Sequence, residues 1–154
     1  MTGAAGATIR AAERRDLDGL MRLEEEAFPG DRLGRRDLLH AIRSPTILAL
    51  AAECEGALAG YVLVQIRRGS TLGRLTSVAV AQAAAGRGVG RALVAAAERA
   101  ALEAGCDRMR LEVRADNARA ARLYEAGGYG VIGEVADYYE DGEAARRLEK
   151  RLAA

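Results

Sequence analysis

Only one lysine, Lys150, and one histidine, His40, occur among the 154 residues; tryptophan is absent and Phe28 is the sole phenylalanine. A lone lysine near the end of the chain leaves no candidate for an internal Schiff base or for a lysine-capped phosphate loop. His40 stands in a helical stretch without neighbouring ligands and reads as solvated or structural, so no metal site is expected. Two cysteines, Cys54 and Cys106, are too few for a disulfide framework and lack metal spacing. They read as free thiols in a reducing compartment. Both prolines, Pro29 and Pro45, fall at breaks between periodic segments. No apolar run approaches the ~18 residues that would cross a bilayer. Met1 to Ala7 has neither a basic start nor a signal-length apolar run, so a cytoplasmic protein is expected. Twenty-three basic residues against 22 acidic ones give a net charge of +1, which offers no overall field for nucleic acid or an acidic membrane. Half of the residues are apolar, enough for a packed core. A single domain over 7–154, after a flexible tail of residues 1–6, is the expectation.

The periodicity predicts a strand at Thr8–Ala11 and a helix capped by Asp16 that runs to about Phe28. A second helix is predicted over Arg35–Arg43, closed by Ser44-Pro45. Strands are predicted at Ile47–Ala52, Leu58–Arg67 and Leu72–Val80. A glycine-containing loop and a helix to Ala104 come next, stopped by Gly105. Met109, Leu111 and Val113 alternate with Arg110, Glu112 and Arg114 on a further strand. Asn117–Ala126 is helical, and Tyr129–Ala136 and Ala144–Leu152 are the last strands. Arg146-Arg147 makes the final one weak, because a strand there would want apolar residues. The strand–loop–helix–strand at the centre implies a crossover and some parallel pairing, and the flanking hairpins imply antiparallel pairing. The fold class is therefore α/β (α+β): a mixed, mostly antiparallel sheet with helices on both faces.

The stretch Gly86-Arg87-Gly88-Val89-Gly90-Arg91 follows the strand end Val78-Ala79-Val80. As a plain helix start it is poor. Each helical glycine costs about 1 kcal/mol relative to alanine, and arginine in the first turn opposes the helix dipole. A bound anion reconciles these choices: bare backbone approaches closely, free N–H groups point at it, and the guanidinium groups add charge. A flexible turn without a ligand is the other reading. A dinucleotide fingerprint would need glycine at Arg91 and an acid at the end of the next strand, where Asp107 lies too early.

The segments LTSVAV, AGRGVGRAL, LEVRADN, ARLYEAGGY and DYYEDGE, in this order and spacing, resemble the GNAT superfamily of N-acetyltransferases. Within it the chain is most similar to the bacterial ribosomal-protein alanine N-acetyltransferases. The resemblance implies the GNAT-like fold and acetyl-CoA as acetyl donor. It implies that Val78, Ala79 and Val80 pair with the pantetheine arm through their backbone, and that the amides from Gly86 to Arg91, with Arg87, Gly88, Val89 and Gly90 between, seat the diphosphate. Asn117 would hydrogen-bond the donor and Tyr124 would stand near its sulfur. Ala85 departs from the family's usual Gln or Arg, and Ala81-Gln82 from a common Asp-Pro. A loss of affinity is expected from these changes, not a loss of function.

An amine attacks a thioester only when neutral, while free α-amines titrate near ~8 and lysine near ~10.4. Glu112 points away from the core side of its strand, and the resemblance assigns it as general base, directly or through water. A carboxylate paired with neighbouring Arg110 or Arg114 is the structural alternative. Tyr124 follows Asn117 by two helical turns; the resemblance makes it the acid that protonates the leaving thiolate, against a plain core aromatic. Transfer would run by direct attack through a tetrahedral intermediate. Phe28 and Asp31 after the first helix, and Tyr138 and Tyr139 before the last strand, would flank the acceptor. That acceptor is a primary amine, expected to be a protein N-terminal α-amine. A small-molecule amine, a lysine side chain, or a catalytically silent acyl-CoA sensor are the competing readings. The chain is expected as monomer or homodimer, and the Arg67-Arg68 and Arg146-Arg147 pairs as solvated faces.

Overall fold

A computed structural model describes residues 7–28 and 33–153. Residues 1–6, read above as a tail, lie outside the described residues. The strands are β1 (Thr8–Ala11), β2 (Ile47–Cys54), β3 (Ala57–Gln65), β4 (Leu72–Val80), β5 (Arg108–Arg114), β6 (Gly130–Val135) and β7 (Ala145–Arg151). The helices are α1 (Leu17–Ala27), α2 (Arg35–Arg43), α3 (Val89–Glu103) and α4 (Ala118–Ala126). This is the order read from the sequence, with short 3-10 turns added at Arg14–Asp16 and Gln82–Ala84. None of the helices among the described residues is long and apolar enough to cross a membrane.

The seven strands form one sheet in the order β1-β2-β3-β4-β5-β7-β6. Every neighbouring pair is antiparallel except β4 and β5. The crossover through α3 accounts for that one parallel pair. Helices cover both faces. On one, Leu17, Leu20 and Leu23 of α1 and Leu38 and Ala41 of α2 close over Tyr61, Leu63 and Ala79. On the other, Leu93, Ala97 and Ala101 of α3 and Tyr124 of α4 pack on Val62, Val64, Met109, Leu111 and Leu148. Each fully buried leucine contributes about 2 kcal/mol of transfer free energy. Gly60 permits α3 its close approach: a Cβ there would stand 2.6 Å from the Ala79 carbonyl oxygen and 2.9 Å from Leu93 Cδ1.

Strand β7 is fully formed despite Arg146-Arg147, and it sits between two other strands, not at an edge. The apolar requirement holds on one face only, where Leu148 is buried beneath α3 and α4. Arg147 belongs to the opposite face and meets Glu112 across the ladder, Nε to Oε2 at 2.9 Å. It is therefore engaged in an ion pair, which corrects its reading as merely solvated.

Asp16 occupies the residue before α1, yet its side chain makes no cap bond to that helix. Its oxygens instead accept from Arg10 at 2.8 and 2.9 Å and from the Glu13 amide at 2.7 Å, while Arg10 also reaches Glu53. The charge-assisted bond from Arg10 wins because it joins β1 to the start of α1 in a site where Asp16 is buried. The Arg10 guanidinium and the Glu13 N–H hold the Asp16 carboxyl below the usual carboxylate range, against the opposing effect of burial. A depressed folded-state pKa gives stability that is present above the unfolded value near ~3.9 and lost as pH falls through the folded one. Asp16→Asn is expected to lose about 2 kcal/mol at pH 6 and much less at pH 2.5. Urea midpoints at the two pH values measure this; equal losses at both would mean that the carboxylate charge is irrelevant.

Candidate active site

Strand β4 carries an extra residue. Its partners on β3 run Leu63↔Ser77 and then Val64↔Leu75, which leaves Thr76 as a bulge. A bulge increases the local twist and diverts the strand. On the other side β4 meets β5 only at Leu72↔Arg108, Gly73↔Met109 and Arg74↔Arg110. Beyond Arg74 the two strands part, and the β4 edge from Leu75 to Val80 has no strand partner on that side. An open edge of this kind offers backbone donors and acceptors to an extended ligand.

A cavity of about 610 Å³ lies along this edge. Val78, Ala79 and Val80 form one wall, and Gly86, Gly88, Val89, Gly90 and Arg91 form its end. Asn117 and Tyr124 line the α4 side, and Phe28 closes the α1 side. Ten of the eleven residues expected to hold the donor are thus brought together; Arg87 is exposed and is not among the lining residues. Gly86 and Gly88 have φ of 80° and 79°, in the left-handed region that favours glycine. Both precede α3, so only Gly90 incurs the helical glycine cost expected of all three. The first amide of α3 to bond back is that of Ala92, to the Gly88 carbonyl at 3.0 Å. The preceding amides at the helix start are those that a bound anion satisfies.

Tyr124 is buried, 8% exposed, with its ring edge-on to Tyr129 at 5.7 Å between centroids. Burial, with a smaller effect of nearby Tyr139, pushes its phenol up to about 12. It therefore holds its proton throughout the neutral range while lining the cavity. Asn117 is the N-cap of α4: Oδ1 accepts from the Ala120 amide at 3.0 Å. That bond uses one of the two lone pairs of Oδ1 and leaves both amide N–H groups as donors.

Glu112 faces away from the apolar core, as its strand position requires, and its side chain is 10% exposed. Its partners are neither Arg110 nor Arg114. Oε1 accepts from Arg74 on β4 at 2.8 Å and Oε2 from Arg147 on β7 at 2.9 Å. Arg110 instead pairs with Glu149 at 2.7 Å, directly across the ladder. Arg74 is the last β4 residue that pairs with β5, so Glu112 fastens the two strands where they begin to part.

Tyr138 and Tyr139 lie in the turn between β6 and β7 and do not line the cavity. Their rings are edge-on at 5.0 Å, and the Arg114 guanidinium sits 4.9 Å over Tyr139. Arg114 is itself gripped by Asp116 at 3.1 Å and Asp141 at 2.6 Å. Burial, and then the neighbouring Tyr138, raises the phenol pKa of half-buried Tyr139 against the opposing effect of Arg114, with smaller increases from Glu112 and Asp116. Asp31 lies outside the described residues.

Two residues of this region, Glu24 and Glu26, escaped the sequence reading. Glu24 is fully buried and accepts from the Leu33 amide at 3.0 Å, and its other oxygen receives the Ser77 hydroxyl at 3.4 Å. It ties the segment after α1 to the bulged part of β4. Glu26 accepts from the Gln82 amide at 2.5 Å on the cavity wall. A Pro at position 82 would lack that donor, so Ala81-Gln82 and Glu26 belong together. No local pattern marks these contacts, because their partners lie up to 56 residues away. Among the described residues no group of three or more His, Cys, Asp or Glu is placed to hold a metal ion.

Residues 17–129 match the acetyltransferase (GNAT) family. The catalytic subunit ard1 of the N-terminal acetyltransferase A complex of Schizosaccharomyces pombe is 32% identical over 148 residues, covering 92% of this chain and 84% of that protein. The ribosomal-protein-S18-alanine N-acetyltransferase from Escherichia coli superposes with a TM-score of 0.85 at 25% identity, over 96% of this chain and 95% of the other. Arabidopsis thaliana NAA60, solved in complex with acetyl-CoA, has the same fold, with a TM-score of 0.85 at 19% identity over 95% and 98% of the two chains.

Proposed function

Since the chain belongs to the acetyltransferase (GNAT) family and is an N-acetyltransferase, we propose that it transfers the acetyl group of acetyl-CoA to the α-amine of a polypeptide N-terminus. The observation that carries this reading is the splay of β4 from β5 beside the amide-rich start of α3. One cavity there offers a strand edge to a chain of amides and an anion seat to a diphosphate. The names of ard1 and the S18-alanine enzyme support an N-terminal acceptor.

Acetyl-CoA supplies the activated acetyl group. The rest is done by the chain. Gly86 to Arg91 take the diphosphate on backbone amides, with Arg91 adding positive charge. Val78 to Val80 hold the arm in extended form. Tyr124 keeps its proton in the neutral range and delivers it to the departing sulfur. Glu112 draws the proton from the attacking amine, through the lone pairs that Arg74 and Arg147 leave free and an intervening water. Phe28 and Tyr139 border the approach of the acceptor, with Tyr138 beside Tyr139.

Gly88→Val is expected to raise the acetyl-CoA dissociation constant roughly 30-fold, because a branched side chain opposes φ of 79° and crowds the anion seat. Calorimetric titration of the variant measures this. The function itself is tested by mass spectrometry of peptides and small amines after incubation with acetyl-CoA. Acetylation at the α-amine of peptides is expected. Modification confined to lysine side chains or to small amines would replace the acceptor assignment, and binding without any transfer would indicate a sensor.

A further inference from the structure

Helices α1 and α2 cover one face of the sheet only over β2, β3 and β4. The same face continues across β5 and β7, where the outward residues are charged. Arg74, Arg108, Arg110, Arg147 and Arg151 stand there against Glu112 and Glu149, with Asp107 at the end of the row. Arg74, Arg108, Arg110 and Arg147 are 37, 37, 25 and 35% exposed, and Arg151 is exposed. The two carboxylates are shared: Glu112 between Arg74 and Arg147, and Glu149 between Arg110 at 2.7 Å and Arg108 at 3.9 Å. Arg151, opposite Arg108, has no ion-pair partner among the described residues. The chain as a whole is almost neutral, so five guanidinium groups on one uncovered face are a local excess.

We propose that this face receives an acidic segment of the acceptor polypeptide, a few residues after the α-amine; the inference rests on the acceptor class proposed above. The row starts at Glu112, where the amine would be deprotonated, and ends at Arg108 and Arg151. Four strand residues separate Glu112 from Arg108, about 13 Å. An extended acceptor covers that length with about four residues, so acceptor positions three to six lie over the guanidinium groups. Carboxylate is also the ligand these arginines already take, in their pairs with Glu112 and Glu149. That favours an acidic polypeptide over a nucleic-acid backbone.

The test compares peptides that share their first two residues and carry Asp-Glu-Asp-Glu, four serines, or four lysines at positions three to six. At low salt the acidic peptide should show kcat/KM about tenfold above the serine peptide, with the lysine peptide below both. The advantage should shrink severalfold in about 0.5 M salt. Arg108→Ser/Arg151→Ser should abolish the preference and leave the serine peptide unchanged, with circular dichroism as the check on folding. Equal kcat/KM for the three peptides overturns the inference while leaving N-terminal acetylation intact. Absence of transfer to any peptide overturns the proposed function instead. Fluorescence anisotropy of the labelled acidic peptide, which needs no turnover, then decides the face: binding that the double variant loses supports it, and no binding sinks it. Displacement of that peptide by an equally charged RNA oligonucleotide that binds more tightly would also overturn it.

Discussion

Tyr124→Phe should lower kcat roughly 100-fold while the dissociation constant for acetyl-CoA stays within about twofold. The substitution removes one oxygen from a buried ring whose packing on Tyr129 depends on the aromatic face and edge. Neither the apolar core nor the anion seat changes, so the melting midpoint should hold. The proton is the difference. A phenol pushed up to about 12 by burial is protonated throughout the working range and can give that proton to a departing thiolate. The sign follows directly: the acid form is the active one and persists as pH rises toward 12. Any alkaline decline in kcat below pH 10 must then come from another group. Stopped-flow measurement of thiol release over pH 6–10 tests both statements. Unaltered turnover in the variant would remove Tyr124 from the mechanism and return it to the core.

Glu112→Gln should reduce kcat/KM at pH 7 by roughly 50-fold, with much of the loss recovered by pH 9. The recovery has a simple cause: an α-amine that titrates near ~8 deprotonates unaided in alkaline solution, so the base becomes dispensable. Loss of the carboxylate charge also weakens the bridge from Arg74 to Arg147 at the point where β4 and β5 separate. Arg147→Ala separates the two effects, since it breaks one arm of the bridge and leaves the carboxylate in place. A comparable loss in that variant, with an unaltered pH profile in Glu112→Gln, would make Glu112 a structural tie and nothing more.

Much of the fold was legible in local pattern. Alternation at Met109, Leu111 and Val113 marked β5 and its buried face, and Gly105 marked the end of α3. The glycine-bearing loop before α3 was legible as a motif, and two of its glycines adopt the left-handed backbone that favours glycine. The pairing of charges was not. Glu112 chose Arg74 and Arg147, both more than thirty residues away, over the arginines two residues either side of it. Neighbours at i±2 on a strand stand about 7 Å apart, whereas residues across a ladder stand about 5 Å apart. Asp16 likewise took Arg10 instead of the helix it precedes. Strand β7 looked weak because of Arg146-Arg147, and the uncovered face of the sheet accounts for Arg147, which lies there opposite Glu112.

The amino-acid order alone determined the succession of strands and helices, the apolar face of each, and the backbone-rich helix start that suits a diphosphate. These depend on period, capping and glycine content within a dozen residues. The tertiary structure decided where β4 leaves β5, which carboxylate each guanidinium takes, and which half of the sheet stays uncovered. Those outcomes depend on a bulge at Thr76, on ladder register and on helix placement, which bring together residues from opposite ends of the chain.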